Sequence, residues 1–266
     1  MLEVRDLHIS FLDDGKAAVR GVNFTMGAGE VLGIVGESGS GKTLTARAIL
    51  GLSDMARMRV RGEIRYQGQD LLTLSEQQMQ GVRGREIAMV FQEPQSALNP
   101  LRRISAQAEE VLRIHTKLSK RERRARVLAA FMEVGISDAA TVLMKYPHEL
   151  SGGMCQRAML AMTLLLSPRL LICDEPTTAL DVTTQAHILR LLKTRNEAAG
   201  TAMLFISHDL HVMRRVATRV LVMQAGQIVE AGDVAQIFRH PQHDYTKRLL
   251  ASKDFKRGER PWRSEY

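Results

Sequence analysis

The stretch "VLGIVGESGSGKTLTARAILGL", Val31–Leu52, decides the fold. It opens on a continuous apolar run, Val31–Gly36, of the kind a parallel sheet buries on both faces. A glycine-rich turn follows at once, and from Thr43 onward the pattern is helical. The eight residues "GESGSGKT", Gly36–Thr43, meet the G-x-x-x-x-G-K-[ST] spacing in the context that gives it meaning, strand before and helix after. Gly36, Gly39 and Gly41 let the backbone curl so that successive N–H groups face one anion, aided by the positive end of the following helix. Lys42 is placed to bridge β- and γ-phosphates and Thr43 to ligate Mg²⁺.

A second segment completes the chemistry. "LLICDEP", Leu170–Pro176, is a buried strand that ends in two carboxylates. Asp174 suits Mg²⁺ and Glu175 suits the orientation or deprotonation of an attacking water. Two acids closing a strand at the surface is the plainer alternative.

Composition sets the frame for these motifs. The 266 residues are 45% hydrophobic and 25% charged, close to ordinary globular usage, which excludes disordered and collagen-like classes. The net charge of +8 fits contact with nucleotide phosphates, nucleic acid or anionic headgroups without choosing among them. Basic residues gather in "KLSKRERRAR", Lys117–Arg126, and "KDFKRGERPWR", Lys253–Arg263, both read as solvated surface. Cys155 and Cys173 form neither a metal spacing nor a disulfide framework, so a reducing setting is expected. The N-terminus has no leader-peptide character, and the most apolar run, Ala158–Cys173, is too short to span a bilayer and is interrupted by Ser167, Pro168 and Arg169.

Further strands are expected at "EIRYQG", "EIAMVF", "LLICDE", "AMLFIS" and "RVLVMQ", with a hairpin at "QAGQIVEAG". Between about Gln95 and Leu150 helix signals replace them. Ser119 with Glu122 forms a capping box opening a helix whose Val127, Phe131 and Val134 share a face and whose Gly135 suits a stop. Ser75 with Gln78 repeats the device. The pattern predicts an α/β core with an inserted helical lobe.

Four short segments narrow the class: "MVFQEP" with Gln92, "LSGGMCQR" at Leu150–Arg157, "TTALD" ending in Asp181, and "ISHDL" with His208. With the two motifs above, their order resembles the ATP-binding cassette (ABC) family of transporter ATPases over the chain to about residue 250. The resemblance implies a RecA-like P-loop core with a mixed sheet, an antiparallel β subdomain, and an α-helical subdomain from about 93 to 157. It implies an ABC ATP-binding domain over 1–250 and a short basic tail over 251–266. The implied cofactors are ATP and Mg²⁺. ATP would be held by Gly36, Glu37, Ser38, Gly39, Ser40, Gly41, Lys42, Thr43 and Leu44. Phe11 lies where the family stacks an aromatic on adenine, though an aromatic beside a strand also suits a core.

The same resemblance gives Gln92 a place by Mg²⁺ and the attacking water, His208 a contact with the γ-phosphate, and Asp181 a role across a dimer interface. Leu150–Gly153, which would be the family's LSGG signature, would then bring Ser151, Gly152 and Gly153 to face ATP held by a second cassette. Catalysis falls to Glu175, His208, Lys42 and Gln92, and Mg²⁺ to Thr43, Gln92 and Asp174.

"FQEPQSALNP", "YPHELSGGM", "DEPTTALDV" and "HPQHDYTKRLL" look like the oligopeptide, dipeptide and nickel importer group. Met154, where most cassettes carry glutamine, is similar to the subunit type that works beside a second, different ATPase. Many peptide-importing members carry a cysteine-rich extension for an iron-sulfur cluster; its cysteines are missing here, which makes nickel or a metal chelate a rival cargo. His240 and His243 are read as part of the group's structural segment rather than as metal ligands.

The implied partners are a second ABC ATPase, two transmembrane permeases and an extracytoplasmic solute-binding protein, at the cytoplasmic face of a bacterial inner membrane. No nucleic acid is expected. A soluble cassette ATPase acting on nucleic acid or ribosomes, supported by the basic charge alone, and an exporter subunit are the competing classes.

Overall fold

The computed structural model describes residues 1–251; the run Lys253–Arg263 lies outside them. Its strands are β1 (Leu2–Phe11), β2 (Ala17–Met26), β3 (Val31–Val35), β4 (Met58–Tyr66), β5 (Gln69–Asp70), β6 (Ile87–Val90), β7 (Leu170–Asp174), β8 (Ala202–Ile206), β9 (Arg219–Gln224) and β10 (Gln227–Asp233). The helices are α1 (Lys42–Ile49), α2 (Glu76–Val82), α3 (Pro94–Ala97), α4 (Ile104–His115), α5 (Lys120–Glu133) and α6 (Ala139–Met144). They continue with α7 (Gly152–Leu164), α8 (Val182–Ala199), α9 (Leu210–Val216), α10 (Val234–Arg239) and α11 (Asp244–Ala251). The chain forms two compact units, one of residues 1–27, 31–72 and 205–251, the other of 28–30 and 73–204.

In the first unit an antiparallel sheet runs in the order β2-β1-β4-β5. Its long strands alternate in burial: Leu2, Val4, Leu7 and Ile9 of β1 are buried while Arg5 and His8 face water. That alternation marks a sheet with one solvated face. The same unit contains β3, whose five residues are all buried and which pairs parallel with β9. β9 turns through Ala225 and Gly226 into β10, the hairpin expected from "QAGQIVEAG".

In the second unit β6 and β7 pair parallel, Ile87 opposite Leu170 through Val90 opposite Cys173, and every residue of both is buried. Between them the chain is helical. Ser75 and Ser119 each accept the amide of the residue three positions on, while Gln78 and Glu122 reach back to the cap amide, so both capping boxes are made. Val127, Phe131 and Val134 are buried as one face of the α5 segment. Lys117, Lys120, Arg121, Arg124 and Arg126 are exposed, while Arg123 is half-buried and donates to the Leu118 carbonyl at 2.6 Å. Gly135, in the left-handed region at φ +79°, ends α5, and Arg157 of α7 donates to its carbonyl at 2.7 Å. Glu133 binds Arg195 of α8 at 2.5 Å, and its carbonyl lies 2.9 Å from His187 Nε2.

Candidate functional site: an anion-holding loop and a carboxylate loop

In the first unit the turn after β3 is shaped by close backbone approach. A Cβ on Gly36 would stand 2.1 Å from the Met223 carbonyl oxygen, and one on Gly41 would stand 2.8 Å from that of Ala18. Only glycine lets the loop lie against β2 and β9 so closely. Gly41, at φ +103°, is also the N-cap of α1, which has no side-chain cap and no acidic residue in its first turn. The leading N–H groups of α1 are therefore not met by a capping side chain or an acid of its first turn, and they carry the positive end of the helix dipole.

Lys42 brings a full charge to the same place. It is 7% exposed, and its Nζ donates to the carbonyls of Gly36 and Glu37 at 2.8 Å each and to Ser40 Oγ at 3.4 Å. The loop thus wraps its own ammonium. Glu37, Ser38 and Gly39 form its exposed rim, while Ser40 is buried and Thr43 and Leu44 are half-buried on α1. A buried ammonium beside a helix N-terminus is the donor set that a polyphosphate fits.

Two other expected residues belong to this unit. His208 is exposed, two residues past β8 and just before Asp209, which caps α9 by accepting the amides of His211 at 2.8 Å and Val212 at 3.3 Å. Phe11 ends β1 opposite Met58 and lines a shallow hollow with Leu12, Asp13, Arg57 and Met58. It is half-buried, not a core residue.

The second unit holds the carboxylates. Asp174 is the last residue of β7 and is 1% exposed. Glu175 follows in the left-handed region at φ +49°, a conformation that side-chain-bearing residues adopt at a cost of about 1–3 kcal/mol and that gathers at functional sites. Its side chain accepts Thr178 Oγ1 at 3.0 Å, and its carbonyl accepts Gln156 Nε2 at 3.1 Å. Gln156, on α7 and 1% exposed, also accepts the Ala179 amide on Oε1 at 3.1 Å. One buried amide therefore ties the signature helix to both ends of the loop carrying Glu175.

Ser151 caps α7 by accepting the Met154 amide at 3.3 Å. A Cβ on Gly153 would lie 3.1 Å from the Ala179 carbonyl, so the start of α7 sits against the segment leading to Asp181. Asp181 caps α8, accepting the Thr184 amide at 3.0 Å and hydroxyl at 2.7 Å, and these bonds hold its carboxyl below the usual range. Gln92 is exposed two residues past β6. Burial, with the adjoining Asp174 charge, pushes the Cys173 thiol far up, so it is no nucleophile.

Each unit thus gathers its own set: the anion loop, Phe11 and His208 in the first, and Gln92, Ser151–Gly153, Asp174, Glu175 and Asp181 in the second. Two residues escaped sequence reasoning. Gln156 stands between the signature glycines and the apolar run that opens at Ala158, and a polar residue leading into that run was its available signal. The other is Tyr245, whose hydroxyl accepts the Glu37 amide at 2.9 Å. His243 Nδ1 accepts the Tyr245 amide at 3.2 Å.

A P-loop between a buried strand and a helix, with acids closing a second buried strand, defines a nucleotide-binding α/β protein. The family model described as ABC transporter matches residues 19–178. The oligopeptide transport ATP-binding protein OppD of Bacillus subtilis (strain 168) is 51% identical over 255 residues, covering 95% of this chain and 71% of that one. The probable D,D-dipeptide transport ATP-binding protein DdpD of Escherichia coli (strain K12) is 46% identical over 94% of this chain and 77% of its own. Among solved structures, the dimeric post-hydrolysis state of the ATP-binding cassette MJ0796 bound to ADP and Pi matches with a TM-score of 0.80 at 27% identity, covering 88% of this chain and 99% of that one. The chain belongs to the ABC transporter family, and it is an ATP-binding cassette ATPase. The expected mixed α/β fold with an antiparallel sheet is the fold observed. Among the described residues no helix is long and apolar enough to cross a membrane.

Proposed function

We infer that this chain is the ATP-hydrolysing subunit of an importer for di- or oligopeptides. The observation that carries the reading is the phosphate loop, where glycine-only packing and the enclosed Lys42 ammonium prepare a cradle for ATP. The peptide cargo is supported by relatives named for oligopeptide and D,D-dipeptide transport.

In this reading residues 36–44 hold the phosphates and Phe11 the base. The reading assigns Mg²⁺ to the oxygens of Thr43, Asp174 and Gln92, and the ion when bound would neutralise phosphate charge. The Asp174 carboxylate, buried at the end of β7, is a hard oxygen donor of the kind Mg²⁺ takes. Glu175 takes the proton of the attacking water, and His208 orients the γ-phosphate end. Ser151, Gly152 and Gly153 serve ATP on a second cassette, for which Met154 favours a different chain. Asp181 lies at that interface, with two permeases and a solute-binding protein completing the importer at the cytoplasmic face. The functional cassette spans residues 1–250, with its helical lobe at about 93–157.

The test is co-expression with its permeases, reconstitution into vesicles, and ATP-driven uptake of labelled di- and oligopeptides against nickel and chelated nickel. Peptide uptake that depends on ATP bears the reading out. Uptake of nickel alone overturns the cargo, and salt-sensitive retention on nucleic acid without permease binding overturns the transporter.

A further inference from the structure

We propose that Tyr245 is a positioning residue for the phosphate loop, held in place by a strap that Glu230 pins to the β9–β10 hairpin. The inference rests on the reading of residues 36–44 as the ATP cradle. It concerns the segment "HPQHDY", His240–Tyr245, to which the reaction assigns no part.

The geometry runs through a single peptide group. The peptide joining Gly36 to Glu37 presents its carbonyl to Lys42 Nζ at 2.8 Å and its N–H to Tyr245 Oη at 2.9 Å. The tyrosine hydroxyl therefore fixes the plane of the group that helps seat the lysine. The next carbonyl, that of Glu37, takes the second 2.8 Å bond from the same ammonium. Tyr245 is 3% exposed, so its ring is locked by packing and its oxygen cannot drift from the loop.

The strap that delivers Tyr245 has its own anchor. Both oxygens of Glu230, on β10, are used: Oε1 accepts the Gln242 amide at 2.7 Å and Oε2 accepts the His243 amide at 3.0 Å. His243 then accepts the amides of Tyr245 on Nδ1 at 3.2 Å and of Lys247 on its carbonyl at 3.1 Å, which starts α11. The same hairpin reaches the loop directly, since the Gly226 amide donates to the Ser40 carbonyl at 3.0 Å and the Met223 carbonyl closes over Gly36. The hairpin thus grips the phosphate loop at Gly36 and Ser40, and through Glu230 and Tyr245 at Glu37.

A loop held in its binding shape before the ligand arrives avoids part of the ordering cost of binding. Losing the tyrosine hydroxyl frees the Gly36–Glu37 peptide to rotate, and that cost returns as weaker nucleotide affinity. By linkage, nucleotide binding strengthens the docking of α11 by the same factor.

The experiment uses the full chain as wild type, Tyr245→Phe, Glu230→Gln, the double variant and Lys42→Ala. Affinity is read by titration with a fluorescent ATP analogue, and amide hydrogen exchange is followed across residues 36–42. Phenylalanine keeps the ring in its slot and deletes one oxygen. We expect Tyr245→Phe to weaken binding about three- to tenfold, the scale of one neutral hydrogen bond, and to speed exchange at Glu37. In the assembled transporter KM for ATP should rise more than kcat falls. Glu230→Gln should act in the same direction, with the double variant little worse than Tyr245→Phe, because both sit on one chain of contacts. Wild-type affinity and Glu37 exchange in Tyr245→Phe overturn the proposal, as does full additivity of the two changes. If Tyr245→Phe fails to fold, wild-type behaviour of Glu230→Gln does the same. Lys42→Ala separates the two readings: if it binds nucleotide normally, the assignment of the cradle itself fails, whatever Tyr245 does.

Discussion

Gln156 and Glu175 are joined side chain to main chain, the buried amide of the signature helix donating to the Glu175 carbonyl at 3.1 Å while accepting the Ala179 amide at the same distance. The bond bears on catalysis because Glu175 stands in the left-handed region, which its surroundings must enforce. Gln156 supplies part of that enforcement, beside the Thr178 hydroxyl, and it comes from the helix that carries the signature at its start.

Gln156→Leu should keep the volume and lose both bonds. Leaving such groups unsatisfied costs about 1–3 kcal/mol, and ATP turnover should fall more than nucleotide affinity because the Glu175 loop relaxes. Thermal melting with single-turnover hydrolysis checks both, and a variant as active and as stable as wild type would show that Glu175 is held by other means.

Glu175→Gln keeps the shape of the side chain and removes its basicity. Hydrolysis in the assembled transporter should drop about 10²–10⁴-fold, the usual worth of a general base, while ATP still binds. Undiminished turnover would remove Glu175 from the role of base.

Gly41→Ala should cripple the loop. The position has φ +103° and a Cβ there would meet the Ala18 oxygen at 2.8 Å. Strain of this kind costs about 1–3 kcal/mol, and the rise in melting temperature on adding ATP should disappear. A normal ATP-dependent shift would contradict the close packing.

Acid should weaken the strap. Burial pushes the Glu230 carboxyl up, but the Gln242 amide, the Thr246 hydroxyl and the His243 amide more than offset it and leave its pKa below the usual value. A group depressed in the folded state contributes stability that is present above its unfolded pKa of about 4.3 and lost as pH falls through the folded value. The gap in denaturant midpoint between wild type and Glu230→Gln should therefore be full at pH 7 and close progressively below about pH 4.3. A gap that stays constant down to the folded value would show that the carboxylate is not what holds the strap.

The helical region offers a packing control. Phe131 is fully buried on α5 and Met132 beside it is 58% exposed. Phe131→Ala should cost about 3–5 kcal/mol, whereas Met132→Ala should stay within about 0.5 kcal/mol. Equal effects would contradict the assigned helix face.

The sequence by itself determined whatever is held together by neighbours along the chain. The phosphate loop reads from Gly36 to Thr43 because its glycines, its lysine and the helix that follows are contiguous and bond mainly to one another. The boxes at Ser75 and Ser119 and the stop at Gly135 are legible for the same reason, each closing within a few residues. Tertiary structure alone decided which side chains steady the reactive loops. Tyr245 lies 208 residues from the amide it accepts, and Gln156 lies 19 from the carbonyl it holds. No periodicity or spacing rule spans such intervals, because the pairing is set by how strands and helices pack and not by local backbone geometry. The left-handed turn at Glu175 belongs to the same class, since local preference opposes it and bonds from another helix and the following turn help to sustain it.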